Sequence, residues 1–241
     1  MLKDLLTGFV DLVYPPHCPV CKNRLLHYSP YEALCPYCRD TIVHNIPPFC
    51  PKCSRHLPDP EQARCRECTQ TDFRFDFAWA ACLYRSPLRE LICAFKYRQR
   101  TYLRKPLARL MIDFIGRYRF DIKQFDLIVP IPLFSSRLRE RGYNQSYLLA
   151  EEISGRYRIG LSCAHLVRAR NTEHQTLLSE KERWTNIRKA FRIKRSAELR
   201  GKNILIIDDL LTTGATASEA ADTLKESGAG TIGILTLAIT G

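Results

Sequence analysis

Four Cys-x-x-Cys pairs between residues 18 and 68 constrain the fold of this chain more than any other feature of its sequence. The pairs are separated by 13, 11 and 11 residues. Two thiolates three positions apart can bind one side of a metal ion, and a second pair completes the tetrahedral cage that zinc prefers. The spacing therefore predicts two structural zinc sites with eight ligands: Cys18, Cys21, Cys35, Cys38, Cys50, Cys53, Cys65 and Cys68.

The spacing leaves open how the four pairs combine. Sequential pairing would join the first two pairs and the last two, whereas a cross-braced arrangement would interleave them. A redox or disulfide role is the alternative, but residues 18–74 show no flanking βαβ pattern of the thioredoxin type. Zinc contributes about 10–16 kcal/mol to the folding of finger peptides, as much as the whole stability of a typical domain. We therefore expect the metal to decide whether residues 18–74 fold, as a double zinc ribbon.

The remaining cysteines and the first residues bear on the compartment. Cys82, Cys93 and Cys163 lie in apolar surroundings and are expected to be core thiols. Residues 1–17 predict a short amphipathic helix that ends at two prolines. Its charged residues make it unlike an export signal, and it is too short to span a bilayer. We expect a cytoplasmic, reducing location, where cysteine pairs more often bind metal than form disulfides.

The charge of the chain is concentrated in its middle. The formal net charge is +12, and residues 76–200 hold 26 Lys and Arg against 12 Asp and Glu. This excess favours anionic partners.

From about residue 75 to residue 241, strand and helix patterns alternate. The apolar runs FAWAACLY, FDLIVPIP, NILIID and TIGILTLAIT predict strands, and amphipathic segments between them predict helices. This alternation is typical of an α/β domain with an open, mostly parallel sheet that helices cover on both faces. The sequence thus predicts three parts: a helix over 1–17, the zinc ribbons over 18–74 and the α/β domain over 75–241.

An acidic doublet, Asp208 and Asp209, follows the apolar run ILII. In an open α/β sheet, ligands bind at the carboxyl ends of the strands. The next turn leads into a helix, and its N–H groups and hydroxyls form an anion site. Thr212, Thr213 and Thr216 supply the hydroxyls, and Gly214 lets the backbone turn closely. This element thus offers acceptors for sugar hydroxyls beside donors for a phosphate. Such a combination suits a phosphorylated ribose.

Two other interpretations of this segment are weaker. A Walker B strand also ends in acidic residues, but it requires a G-x-x-x-x-G-K-[ST] loop that this chain lacks. An ordinary strand–turn–helix with surface aspartates would not explain why two adjacent carboxylates precede two threonines and a glycine.

The segment ILIIDDLLTTGAT resembles the phosphoribosyl diphosphate (PRPP) motif of type I phosphoribosyltransferases. The whole chain resembles the ComF family, whose members carry cysteine knuckles before such a domain. The resemblance rests on the knuckles, this motif, AFKYR, IVPIPLFSSRLRERGYNQ and RARNTEHQTLLSEKERWTNIRKAF. It implies a type I phosphoribosyltransferase-like fold that binds PRPP with Mg²⁺ and transfers the phosphoribosyl group to an unknown acceptor.

The resemblance also implies roles for single residues. Asp208 and Asp209 would bind the ribose hydroxyls, and the turn of residues 212–216 would bind the 5′-phosphate. Pro132 and Leu133 would lie in the pyrophosphate loop. Arginine matches phosphate geometry with paired donors. We therefore expect at least one of the next three arginines near the diphosphate, with Arg141 favoured over Arg137 and Arg139. A solvated basic face is the alternative for each of them.

Two further regions carry weaker expectations. Lys96, in AFKYR, is a candidate phosphate contact, with a solvated lysine as the alternative. The resemblance implies that residues 168–190 form a flap that closes over the substrate, with Gln175, Arg183 and Asn186 at positions that the family pattern marks. An exposed loop and helix is the alternative. Catalysis would come from binding the sugar rigidly and stabilising the leaving diphosphate through Asp208, Asp209 and Arg141.

Members of the ComF family are associated with natural competence and the uptake or use of external DNA. A non-catalytic role is therefore the second hypothesis. In it, the PRPP site is a sensor, and the chain binds single-stranded DNA or another competence protein.

Overall fold

The computed structural model of the protein describes residues 16–25, 33–172 and 179–240, except the side chains of Glu180 and Lys181. Residues 1–15, nearly all of the predicted N-terminal helix, lie outside this part. Two short helices follow cysteines of the ribbon region: α1, Pro36–Asp40, after Cys35, and α2, Arg66–Gln70, after Cys65. The other described residues of the ribbon region lie mainly in turns, loops and isolated bridges.

The described strands form one large and one small sheet. They are β1 Phe77–Leu83, β2 Leu127–Pro130, β3 Gly160–Leu161, β4 Leu166–Arg168, β5 Phe191–Ile193, β6 Ile204–Leu211 and β7 Ile232–Ile239. Five of them form a parallel sheet in the order β1-β7-β6-β2-β3. Strands β4 and β5 pair separately and antiparallel. The parallel sheet lies at the centre of the α/β domain.

Helices cover both faces of the parallel sheet. They are α3 Leu88–Tyr97, α4 Arg104–Arg117, α5 Ser135–Arg141, α6 Gln145–Tyr157, α7 Glu180–Ile187 and α8 Ala215–Glu226. Buried residues of α3, α4 and α6 form one core together with the first cysteine group. Buried residues of α8 form the other core with Ile187 of α7 and the second cysteine group. The predicted fold class, an open parallel α/β sheet preceded by a zinc-ribbon module, is confirmed.

The ribbon region covers the outer edge of β1. Leu83 N donates to Val43 O at 2.9 Å, and Asn45 N donates to Ala81 O at 3.0 Å. The Asn45 side chain, 2% exposed, donates to Ser54 O at 2.8 Å and to Ala80 O at 3.1 Å. An uncovered strand edge is a template for pairing with other chains. The ribbon therefore completes the sheet and protects it at this edge.

Two sequence expectations are corrected by the structure. Strand β6 continues through the acidic doublet to Leu211, because pairing with β7 continues as far as Ile239. Cys82 is fully buried and Cys93 partly buried, but Cys163 is exposed, so its prediction as a core thiol is wrong. Cys163 follows β3 in a short connection at the edge of the sheet.

Among the described helices, none combines the length and the apolar character that crossing a membrane requires.

Candidate functional site

The eight cysteines of the pairs form two groups in sequential order. In each group the four sulfur atoms lie within 4.8 Å of one another: Cys18, Cys21, Cys35 and Cys38, then Cys50, Cys53, Cys65 and Cys68. The alternative that the spacing left open, a cross-braced pairing, is therefore wrong. Four thiolates at this separation are the donor set of a structural zinc site.

Within the first group, the environment of Cys18 favours its thiolate. Burial would raise the pKa of Cys18, but backbone N–H groups of Cys35, Cys21 and Val20 outweigh it and lower that pKa to about 7. Since the thiolate is the form that binds metal, this cysteine is prepared for coordination. Both groups fit zinc.

The acidic doublet lies where the sheet changes direction. Strands β6 and β2 are neighbours, but the connection after β2 leads outward to β3 and the connection after β6 leads to β7 on the other side. Ligands of open α/β sheets bind at such a switch point. The carboxyl ends of β2 and β6 here open into one cleft, which both Asp208 and Asp209 line.

Asp209 is a buried charge with two partners. It is 2% exposed, and its carboxylate forms an ion pair with Lys96 of α3. Gln145 of α6 donates to its other oxygen at 3.2 Å. Burial lowers the pKa of Lys96, but the charges of Asp209 and Asp208 outweigh it and raise that pKa. Lys96 is thus a paired cation in the wall of the cleft, and the alternative of a solvated lysine is wrong.

Asp208 has a different environment. It is partly exposed to the cleft, and its Oδ1 accepts from Ser146 Oγ at 2.7 Å and from Asp209 N at 2.9 Å. Burial and the neighbouring charge of Asp209 raise its pKa to about 7, although Lys96 and these hydrogen bonds act in the opposite direction. The two adjacent carboxylates therefore differ: Asp209 is paired with Lys96, whereas the pKa of Asp208 is raised to about 7.

The first turn of α6 holds both aspartates. Asn144 caps this helix, because its side chain accepts from Ser146 N at 3.0 Å and Tyr147 N at 3.4 Å. Its amide nitrogen donates to Ile131 O at 2.9 Å and so ties the helix to the loop after β2. The sequence reasoning did not identify Gln145 and Ser146, although polar residues after a cap and before an apolar face were a usable signal.

The turn of residues 212–216, called the threonine turn below, leads from β6 into α8. Thr212 and Thr216 line the cleft, and Thr213 Oγ1 accepts from Ala215 N at 3.4 Å. Gly214 precedes the helix with φ +81°, and a Cβ atom there would lie 2.6 Å from the ring of Phe73. Glycine is thus required for both its conformation and its lack of a side chain. The turn presents a helix N-terminus toward the cleft, as an anion site needs.

Cations surround the cleft and outnumber its carboxylates. Of the three arginines that follow the loop after β2, Arg137 and Arg141 line the cleft, whereas Arg139 is exposed elsewhere on α5. Arg141 donates to Gln145 and lies over the ring of Tyr97, 5.2 Å from its centroid. Five cationic residues line the cleft beside two carboxylates: Lys96, Arg137, Arg141, Arg168 and Arg183.

Arg168, at the end of β4, was not singled out from the sequence as a cleft residue. Burial and the nearby charge of Arg137 lower its pKa to about 10. Its Nη2 donates to Thr172 Oγ1, but its buried Nε has no hydrogen-bond acceptor among the described residues. A cation that loses solvent without gaining a full set of acceptors is energetically costly unless an anion binds beside it. Arg168 is therefore suited to pairing with an anion in the cleft.

The remaining predicted residues are placed as follows. Leu133 lines the cleft in the loop after β2, and the half-buried Pro132 precedes it. In the expected flap, Arg183 of α7 lines the cleft, and Asn186 O accepts from Arg170 at 2.6 Å. Gln175 lies outside the described residues. The structure thus brings the acidic doublet, the threonine turn, Lys96 and Arg141 together, and their roles stay predictions.

Two family models match the chain in separate parts. Residues 9–69 match the double zinc ribbon domain, and residues 145–240 match the phosphoribosyl transferase domain. The first match covers all eight cysteines of the pairs, and the second covers the acidic doublet and the threonine turn.

Curated relatives match nearly the whole chain. Competence protein ComFC of Bacillus subtilis (strain 168) is 32% identical over 214 residues, which cover 86% of this chain and 83% of the relative. The DNA utilization protein YhgH of Salmonella typhimurium is 29% identical over 223 residues, with 92% and 96% covered. A crystal structure of purine phosphoribosyltransferase from Pyrococcus horikoshii has a TM-score of 0.32 and 19% identity, over 55% of this chain and 70% of that chain.

Proposed function

This chain belongs to the ComF family, and on that premise we propose that its cleft binds PRPP together with Mg²⁺ and transfers the phosphoribosyl group to an acceptor. One observation carries the proposal. The acidic doublet and the threonine turn lie on the same strand–turn–helix element, beside five cationic residues. One ligand can therefore reach acceptors for its ribose hydroxyls, donors for its 5′-phosphate and cations for its diphosphate.

The residues of the cleft fit a magnesium–diphosphate complex. Asp208 offers a partly exposed carboxylate oxygen, the hard ligand that Mg²⁺ prefers, and magnesium commonly shares such a site with substrate phosphates. When bound, Mg²⁺ would neutralise charge on the departing diphosphate.

The chain's own residues would do the rest. Arg137, Arg141 and Arg168 would stabilise the leaving diphosphate, since preorganised cations in a cleft act where charge develops. The threonine turn would hold the 5′-phosphate, and Asp208 would orient the ribose hydroxyls. Lys96 and Gln145 would keep Asp209 fixed as the floor of the site. In the transfer, the bond from the anomeric carbon to the diphosphate breaks, a bond to the acceptor forms, and the acceptor loses a proton.

Calorimetric titration of the zinc-loaded protein with PRPP and Mg²⁺ tests the binding. Arg141→Met should weaken PRPP binding about 10- to 100-fold, since a hydrogen bond to a charged group contributes about 1.5–3 kcal/mol. Arg139→Met is the matched control on the same helix, because Arg139 is exposed outside the cleft. Absence of binding by the wild-type protein at millimolar PRPP would contradict the proposal. Pyrophosphate release with a panel of nucleobases and amines then tests turnover and identifies the acceptor.

The second candidate is a non-catalytic role in binding DNA. The relatives' names concern competence and DNA utilization, and Tyr97 at the mouth of the cleft is 58% exposed beside Arg141. Exposed aromatic rings next to cations bind single-stranded nucleic acid by stacking. Affinity for single-stranded DNA that falls steeply with salt, without PRPP-dependent turnover, would favour this role.

A further inference from the structure

The second cysteine group is joined to the threonine turn by one side chain, Arg55. This residue lies two positions after Cys53, and its Nη1 donates to Cys53 Sγ at 3.5 Å. Its Nη2 donates to the backbone carbonyl of Thr212, a residue 157 positions away in sequence. A guanidinium can make both contacts at once because its donors form a rigid fork. Arg55 thus bridges a predicted zinc ligand and the turn that would bind the 5′-phosphate.

Two more contacts hold the same turn from the ribbon side. The ring of Phe73 packs directly against Gly214. Arg74 N donates to Ser218 Oγ in the first turn of α8 at 3.0 Å. Phe73 also lies 5.9 Å from the ring of Trp184, the neighbour of the cleft residue Arg183. The segment after the second cysteine group therefore supports both the turn and helix α7.

The first cysteine group has a different position. Its buried sulfurs belong to the core formed with α3, α4 and α6, on the other face of the sheet. The second group shares a core with Leu211 and Ala215, on either side of the turn. Among the described residues, no hydrogen bond or ion pair joins the first group to residues 212–215. The two predicted zinc sites are thus unequal with respect to the cleft.

We propose that Arg55 is a positioning residue, through which the second zinc site orders the phosphate-binding turn and sets the affinity for the ligand's 5′-phosphate. With zinc bound, the four thiolates of the second group would keep a net negative charge, which would strengthen the hydrogen bond from Arg55 to Cys53. The guanidinium then fixes the Thr212 carbonyl, and with it the direction of the N–H groups that follow. The first zinc site stabilises the fold without acting on the turn. This inference rests on the proposed function only for the identity of the ligand.

The test compares Arg55→Met with Arg64→Met in the zinc-loaded full chain. Methionine keeps the aliphatic volume and removes both donors, and Arg64 is an exposed arginine of the same ribbon. Two probes separate the ends of the cleft: ribose 5-phosphate for the turn, and Mg²⁺-pyrophosphate for the arginines. Arg55→Met should weaken ribose 5-phosphate binding about 10- to 100-fold and leave Mg²⁺-pyrophosphate binding unchanged. Arg64→Met should change neither.

Zinc content and amide exchange complete the design. We expect Arg55→Met to retain two zinc ions per chain and to show faster hydrogen exchange at residues 212–216 than the wild type. Unchanged exchange and unchanged ribose 5-phosphate affinity would overturn the proposal. If the wild type binds neither probe, the proposed function is wrong, and the exchange at 212–216 decides this inference by itself. If Arg55→Met loses zinc, Arg55→Lys takes its place, and wild-type exchange in that variant with full zinc content would overturn the proposal.

Discussion

The ion pair between Lys96 and Asp209 allows a quantitative test of how the cleft is built. The two side chains are 17% and 3% exposed. Lys96→Met would leave the Asp209 carboxylate buried beside Asp208, with Gln145 as its remaining side-chain partner. Removing one member of a buried pair costs about 3–5 kcal/mol, because the other charge is left uncompensated. At 2–4 °C per kcal/mol for a chain of this size, the melting temperature should fall by roughly 6–20 °C.

A double-mutant cycle separates this charge effect from lost packing. Asp209→Asn removes the charge that Lys96 compensates, so the Lys96→Met/Asp209→Asn protein should recover most of the lost stability. Lys123→Met, at an exposed lysine, should shift stability by less than about 0.5 kcal/mol. Differential scanning calorimetry of the zinc-loaded wild type, the two single variants, the double variant and Lys123→Met measures these differences in stability. If Lys96→Met melts with the wild type, or if the double variant is less stable than either single one, Asp209 is not a buried charge that depends on Lys96.

Two further predictions concern the pH dependence and the turn. Because the folded pKa of Asp208, about 7, lies above its ordinary value of 3.8, its contribution to stability is full below pH 3.8 and is lost as the pH rises through 7. Wild-type melting temperatures should therefore fall relative to Asp208→Asn between pH 5 and 8, and parallel curves would contradict this. Gly214→Ala should destabilise more than Gly142→Ala, since both glycines have φ +81° but only Gly214 contacts Phe73. The φ strain alone costs about 1–2 kcal/mol, and equal losses of stability in chemical denaturation would refute a role of the Phe73 contact.

Local patterns in the sequence predicted the sheet, the ribbon module and most of the cleft. Apolar side chains recur every two residues in strands and about every 3.6 residues in helices, and metal ligands recur at fixed spacing. Both kinds of pattern can be recognised in a short stretch of sequence. Strand β6 is the instructive exception. Its polar doublet suggested an end at Asp208, but pairing with β7 carries the strand to Leu211. Tertiary pairing overrides the low strand propensity of aspartate.

The residues that the sequence did not reveal act across long distances in the chain. Arg55 reaches Thr212 from another module, and nothing near Arg55 in sequence distinguishes it from the exposed Arg64. Arg168 lies in the cleft because β4 and β5 form a small sheet beside it. Strands of three residues are too short for this pairing to be predicted from the sequence pattern. Such contacts depend on how modules dock, which periodicity does not encode.

The position of β7 in the sheet has a consequence for synthesis of the protein. This strand is the last of the described strands in sequence, yet it lies between β1 and β6. Strand β1 pairs in parallel only with β7 among the described strands, starting with Phe77 opposite Gly233. On the ribosome, β1 therefore emerges long before its partner and waits with one edge unpaired. Residues 232–239 connect β1 to the other strands of the sheet. A nascent chain that stops before residue 232 would therefore have no strand to pair with both β1 and β6.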